Sequence, residues 1–133
     1  MKYFKNIVPI MIAGIWINIS EFIRNEVLLK SHWAEHYKSI NITFPSAPVN
    51  GIVWVIWGFS FSIIIYTLLN RFSLLKTTIV SWFAAFFMMW LVTWNLAVLP
   101  IEILIYAIPL SILEVYIAAV ICKKLRLVKK IRT

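Results

Sequence analysis

The chain has little with which to build a disulfide-bonded or strongly acidic protein. Its one cysteine, Cys122, excludes an internal disulfide framework and any cysteine-rich zinc module. It has no aspartate, and its five acidic residues are all glutamates: Glu21, Glu26, Glu35, Glu102 and Glu114. Charged residues make up 14% of the 133, where an ordinary soluble domain has about 25%. No internal repeat or low-complexity linker divides the sequence, so its length predicts one domain, residues 1–133.

What the chain does have is apolar surface. Hydrophobic residues are 62% of it and aromatics 16%, against about 45–50% apolar in soluble domains. A single globular core cannot absorb that proportion, which makes the lipid bilayer the expected solvent and partner. A helix crossing the ~30 Å hydrocarbon layer needs about 20 mostly apolar residues. Four stretches qualify, at about 7–29, 51–69, 77–99 and 101–122, with Pro45, Pro48 and Pro100 in the breaks between them. The expected fold is an all-α integral membrane protein, an antiparallel up-down bundle of four transmembrane helices.

Orientation follows from lysine and arginine counts in the short loops. With four spans, both termini share a side with the loop between spans two and three. That side holds ten basic residues: Lys2, Lys5, Arg71, Lys76, Lys123, Lys124, Arg126, Lys129, Lys130 and Arg132. The other side holds three: Arg24, Lys30 and Lys38. Both termini are therefore expected in the cytoplasm and the chain in the cell (inner or plasma) membrane. No small-x-small cleavage pattern follows the first apolar run, which predicts a retained span rather than a signal peptide. The net charge of +8 is concentrated in the juxtamembrane tail at 123–133. Such a tail suits anionic lipid headgroups and the orientation rule. Nucleic acid, which calls for a folded basic face, is not an expected partner.

The outer loop, about 30–48, contains the stretch His32-Trp33-Ala34-Glu35-His36 with the only two histidines. H-x-x-E-H is the inverted zinc-protease signature, in which two histidines hold the metal and the glutamate handles protons. If helical, His32 and His36 could hold one zinc ion, with Glu35 nearby and Glu102 as the carboxylate at a suitable depth. Four spans and one short loop, however, supply neither a substrate cleft nor a rigid shell around such ligands.

Polar residues inside the spans carry the stronger signal, since they are costly there and face a bundle interior or a water-filled cavity. Gly14, Asn18, Glu21 and Asn25 recur at helical spacing along span one. Extending that face leads to His32 and His36 if the helix persists. Glu21 also has an intrahelical partner at i+3, Arg24. In span four, Ala107, Ser111, Glu114, Ala118 and Cys122 share a face whose small residues allow close helix approach, turning Glu114 inward beside a kink at Pro109. Gly58 and Ser62 offer a similar packing surface in span two. By helical rise, Glu114 is expected roughly 20 Å below the outer end of its span and Glu21 only ~10 Å below its own. Glu102, in the first turn of span four, joins the outer group with Asn25, Asn50 and Asn95. Trp33, Trp54, Trp57, Trp90 and Trp94 also lie towards that outer face, as an interfacial aromatic belt would.

These residues predict an outward-facing polar and aromatic vestibule with one deeper carboxylate beneath it. The leading functional expectation is a ligand-binding or small-molecule transport unit. Glu21, Asn18, Asn25, Glu102, Glu114, Trp54, Trp57, Trp90 and Trp94 would form its pathway, with carboxylates exchanging a proton or pairing with a cation and aromatic faces adding cation–π contact. In general plan, four spans with a glutamate in the first, the chain is similar to the small multidrug-resistance transporters. Its outer loop is longer and no matching motif surrounds Glu21, so no residue roles carry over. The alternatives are a non-catalytic accessory subunit or homo-oligomer packing through the small-residue faces, and third a metal-dependent membrane enzyme using HWAEH.

Overall fold

The computed structural model describes residues 4–131, and the described residues are helical with no strand. Helix α1 (Phe4–Phe22) passes into a π-helical turn, Ile23–Leu28, and α2 (Lys30–Ser39) follows. Next come α3 (Pro48–Leu68) and α4 (Leu74–Trp82), then a second π-helical turn (Phe83–Phe87) leading into α5 (Met88–Asn95). One 3₁₀ turn (Ile101–Ile103) precedes the long α6 (Leu104–Ile131). Four uninterrupted helical runs are long and apolar enough to cross a membrane: Asn6–Leu28, Pro48–Leu68, Leu74–Asn95 and Ile101–Arg126.

Local chemistry sets these ends. Pro48 opens α3 at the position where a missing N–H costs nothing. Ser73 caps α4, its hydroxyl accepting the Lys76 N–H at 3.3 Å. Both α2 and α5 close in Schellman motifs, with Asn41 (φ 58°) and Ala97 (φ 60°) in the left-handed conformation. The Ile42 N–H reaches the Tyr37 carbonyl, and the Val98 N–H reaches that of Thr93. Asparagine is common at such a position and alanine is not.

The loop expected at 30–48 thus contains a ten-residue helix. It does not prolong span one, because Leu29 leaves helical geometry (φ −115°, ψ 6°) and starts a new axis. The polar face of span one therefore does not run straight on to His32 and His36. Spans two and three each begin three residues earlier than expected, and Arg24, within the expected first span but counted with the outer-side charges, is buried.

The interior is lined by small and polar residues as much as by large apolar ones. Ala107, Ser111, Glu114, Ala118 and Cys122 are all buried, which is the shared face expected of span four. A β-carbon on Gly58 would come within 2.6 Å of the Asn18 amide, and one on Gly14 within 2.3 Å of the Phe59 ring. Only glycine allows α1 and α3 to approach this closely. Pairings run along the bundle: Tyr66 with Asn6, Cys122 with Pro9, Trp82 with Ser111 and Arg126 with Asn70. The outside is apolar, with Phe22, Val27, Ile56, Phe83 and Ile105 among its exposed residues. A water-soluble protein rarely exposes so much contiguous apolar surface. Surface of this kind, on helices of this length, suits hydrocarbon.

Candidate functional site

The π turn that follows α1 carries one arginine, Arg24, near its start. A π turn inserts a residue into the helical register and is often found at functional sites. Here the Leu29 N–H bonds the Arg24 carbonyl five residues back, at 2.9 Å. The Arg24 side chain points into the bundle and is 4% exposed. One guanidinium nitrogen, Nη1, donates to Glu114 Oε2 of α6 at 2.8 Å, and Nη2 donates to Glu21 on its own helix. Its Cζ lies 5.0 Å from the centroid of the Phe86 ring. Phe86 belongs to the second π turn, so the two register shifts meet at this contact.

Both carboxylates are further tied down. Glu114 Oε2 also accepts the Ser20 hydroxyl at 2.9 Å, while the Trp16 indole donates to the Glu114 backbone carbonyl at 3.0 Å. Glu21 Oε2 accepts from Asn25 Nδ2 at 2.9 Å, and Asn25 Oδ1 accepts from the Trp33 indole at 3.3 Å. A polar chain therefore runs from α2, through Asn25 and Glu21, to Arg24 and Glu114. Glu114 is fully buried, and its Oε1 has no hydrogen-bond partner among the described residues. A buried acceptor without a donor is uncommon enough in a native fold to call for an explanation.

Beside this centre a groove of about 150 Å³ opens between α1 and α6. Its walls are Ile23, Leu28, Leu110 and Leu113, and its polar lining comes from Ser20, Arg24 and Glu114. Ile23, Leu28 and Leu113 are exposed, so the groove faces the apolar flank of the bundle rather than one of its ends. A second groove of about 320 Å³ lies between α3 and the third span, with Trp57, Phe61, Ser81 and Met89 in its lining.

No family model, curated protein or solved structure matches this chain. The site is therefore read from its own chemistry.

The structure joins some of the expected residues and leaves others apart. Glu21 and Glu114 converge on Arg24, and Asn25 joins them through Glu21. The depth that was expected to separate Glu114 from Glu21 comes to about one helical turn, ~5 Å. The cause is visible in the pairings: Glu114 is level with Trp16 and Ser20, and α6 starts beyond the end of α1. The long side chains of Arg24 and Glu114 close the remainder. Asn18 instead binds the Gly14 carbonyl at 2.9 Å and packs on Gly58. Glu102 is exposed and makes none of the contacts of the centre. Among the tryptophans, Trp57 and Trp90 pack on Phe86 with ring centroids 5.8 and 5.6 Å away, whereas Trp54 and Trp94 are exposed.

HWAEH lies on α2, outside the four spans. His36 Nε2 is 2.8 Å from the Ala97 carbonyl, tying α2 to the turn after α5. His32 Nδ1 is buried without a partner among the described residues, and Glu35 is exposed. Among those residues no three His, Cys, Asp or Glu side chains come together as a metal would require. Trp33 is the part of the motif that reaches the centre. Of the basic tail, Lys123 and Lys124 are exposed and Arg126 donates to Asn70; the side chains of Lys129, Lys130 and Arg132 lie outside the described residues, as do those of Lys2 and Lys5.

Arg24, Ser20, Trp16 and Phe86 were missed as site residues in the sequence. A signal for Arg24 was present, since no other basic residue stands between two apolar turns of a span.

Proposed function

We propose that this chain is a ligand-binding or small-molecule transport unit of the membrane, working at the Glu21–Arg24–Glu114 centre. The observation that carries this reading is the buried Glu114 carboxylate, half of it held by Arg24 and Ser20 and half without a donor, at the edge of a groove. With both carboxyls ionised, two carboxylates and one guanidinium leave the centre one positive charge short, which a proton or a bound cation would supply. Charge in a span is costly and is characteristically found along substrate and ion paths. Entry is sideways, between α1 and α6, rather than through the outer vestibule expected from the loop. The helix pairings are consistent with an up-down order with both termini on one side, and the lysine and arginine distribution favours the cytoplasmic side of a cell membrane for them.

The accessory-subunit reading loses ground on a specific observation. Its small-residue faces, Gly58/Ser62 and Ala107/Ser111/Ala118, are buried inside a single chain and provide no surface for assembly.

The test uses protein reconstituted in phosphatidylcholine nanodiscs containing a few mole per cent of a twelve-carbon amphiphile: dodecylammonium, dodecyltrimethylammonium, dodecanol or dodecanoate. Thermal unfolding is followed for wild type, Glu21→Gln and Glu114→Gln. At least one probe is expected to stabilise wild type and to lose about tenfold in affinity in the variants, a difference of about 1.4 kcal/mol. If every probe acts alike on all three proteins, the centre is structural and the proposal fails.

A further inference from the structure

Resting on that reading, we propose that the groove between α1 and α6 binds a single-chain amphiphile whose head is a protonated amine. Three independent features of the site specify the two ends of such a molecule.

The head is specified by charge and by hydrogen bonding. Glu21 and Glu114 bring two carboxyl groups, and Arg24 is the one cation among the described residues that contacts them; with both ionised, the centre carries two negative charges against one positive. The Lys30–Glu26 pair is a separate surface contact at 3.3 Å. One further positive charge neutralises the centre in a medium where unbalanced charge is strongly unfavourable. The free acceptor, Glu114 Oε1, asks in addition for a donor. An N–H-bearing ammonium supplies both in one group. A quaternary ammonium supplies charge without the donor, an alcohol supplies a donor without the charge, and a carboxylate supplies neither. Trp16, lining the same groove, adds an aromatic surface suited to a cation.

The tail is specified by the walls. Ile23, Leu28, Leu110 and Leu113 offer aliphatic contact with no further polar group. A volume of about 150 Å³ holds something of the size of a benzene ring. That is room for an ammonium and the first few methylenes; the rest of an alkyl chain continues into the surrounding hydrocarbon, which the lateral opening permits. A bulky multi-ring cation exceeds the space.

The nanodisc panel at neutral pH decides the matter. Dodecylammonium is expected to bind wild type about tenfold or more tightly than dodecanol and dodecyltrimethylammonium, with dodecanoate weakest. Glu114→Gln should abolish this preference. Leu113→Trp, which fills the groove from an exposed position, should weaken dodecylammonium binding while leaving the unfolding temperature without ligand close to wild type. Equal binding of dodecanol and dodecylammonium, or preference for the quaternary amine or the carboxylate, overturns this inference. If that binding still depends on Glu21 and Glu114, the wider reading of a ligand-binding centre survives. Absence of Glu114-dependent binding by any probe sinks both. Binding of dodecylammonium untouched by Leu113→Trp overturns the groove as its location.

Discussion

Nη1 of Arg24 lies 2.8 Å from Oε2 of Glu114, ninety residues further along the chain, and both side chains are withdrawn from the bundle surface. This contact fastens α1 to α6 at the level where α1 changes to π geometry. Removing the arginine leaves two buried carboxylates facing one another without a counter-charge. Arg24→Met is therefore expected to cost about 3–5 kcal/mol, the range for breaking a buried pair from one side. The double variant Arg24→Met/Glu114→Gln should be more stable than Arg24→Met alone, because it removes one stranded charge. Unfolding in mixed micelles measures both, and a double variant no better than the single one would show that the pair is not buried as described.

Ala97 makes a second, independent prediction. It occupies the left-handed C′ position of α5 at φ 60°, a conformation that strains an L-residue and suits glycine. Its exposed side chain contributes little packing to lose. Ala97→Gly is expected to stabilise the protein by about 0.5–1 kcal/mol net of the extra freedom glycine gains when unfolded. A drop in the unfolding temperature would contradict this conformation.

HWAEH supplies the third. His36 Nε2 is engaged by the Ala97 carbonyl, and no third donor joins the two histidines among the described residues. Stable zinc sites in proteins use three or four protein ligands. Protein purified in metal-free buffer and then exposed to equimolar zinc should retain no stoichiometric metal after desalting, by elemental analysis. Retention of one zinc per chain, lost in His32→Ala and His36→Ala, would restore the enzyme reading.

Four apolar stretches, the inward face Ala107–Ser111–Glu114–Ala118–Cys122 and the pairing of Glu21 with Arg24 are all legible in the sequence. Periodicity and i,i+3 spacing suffice for these, because each concerns one helix at a time. The meeting of Glu21 and Glu114 is not legible that way. It depends on the relative stagger of α1 and α6, which a count from each span's own end does not contain. The two π turns are invisible for a related reason. Ile23–Leu28 and Phe83–Phe87 have ordinary helical compositions, and one inserted residue alters which side chain faces inward without altering hydropathy. Arg24 falls within the expected first span and pairs with Glu21 by spacing, but spacing alone does not show that it turns inward to Glu114.

Phe86 tests whether that geometry matters energetically. Its ring is fully buried, stands 5.0 Å from the Arg24 guanidinium carbon, meets Trp57 and Phe61 edge to face and packs tilted against Trp90. Phe86→Leu keeps an apolar side chain but loses both the quadrupole and part of the volume. The volume loss costs stability whether or not Arg24 is present, so the single variant is uninformative about the cation. A double-mutant cycle with Arg24→Met isolates the pairwise part. A desolvated cation–π contact is worth about 2 kcal/mol, and the rings around Phe86 exclude competing water. The expected coupling is therefore about 1–2 kcal/mol, measured as the difference in unfolding free energy around the cycle. A coupling indistinguishable from zero would mean that Arg24 is held by its two carboxylates alone, and that the second π turn serves packing rather than the centre.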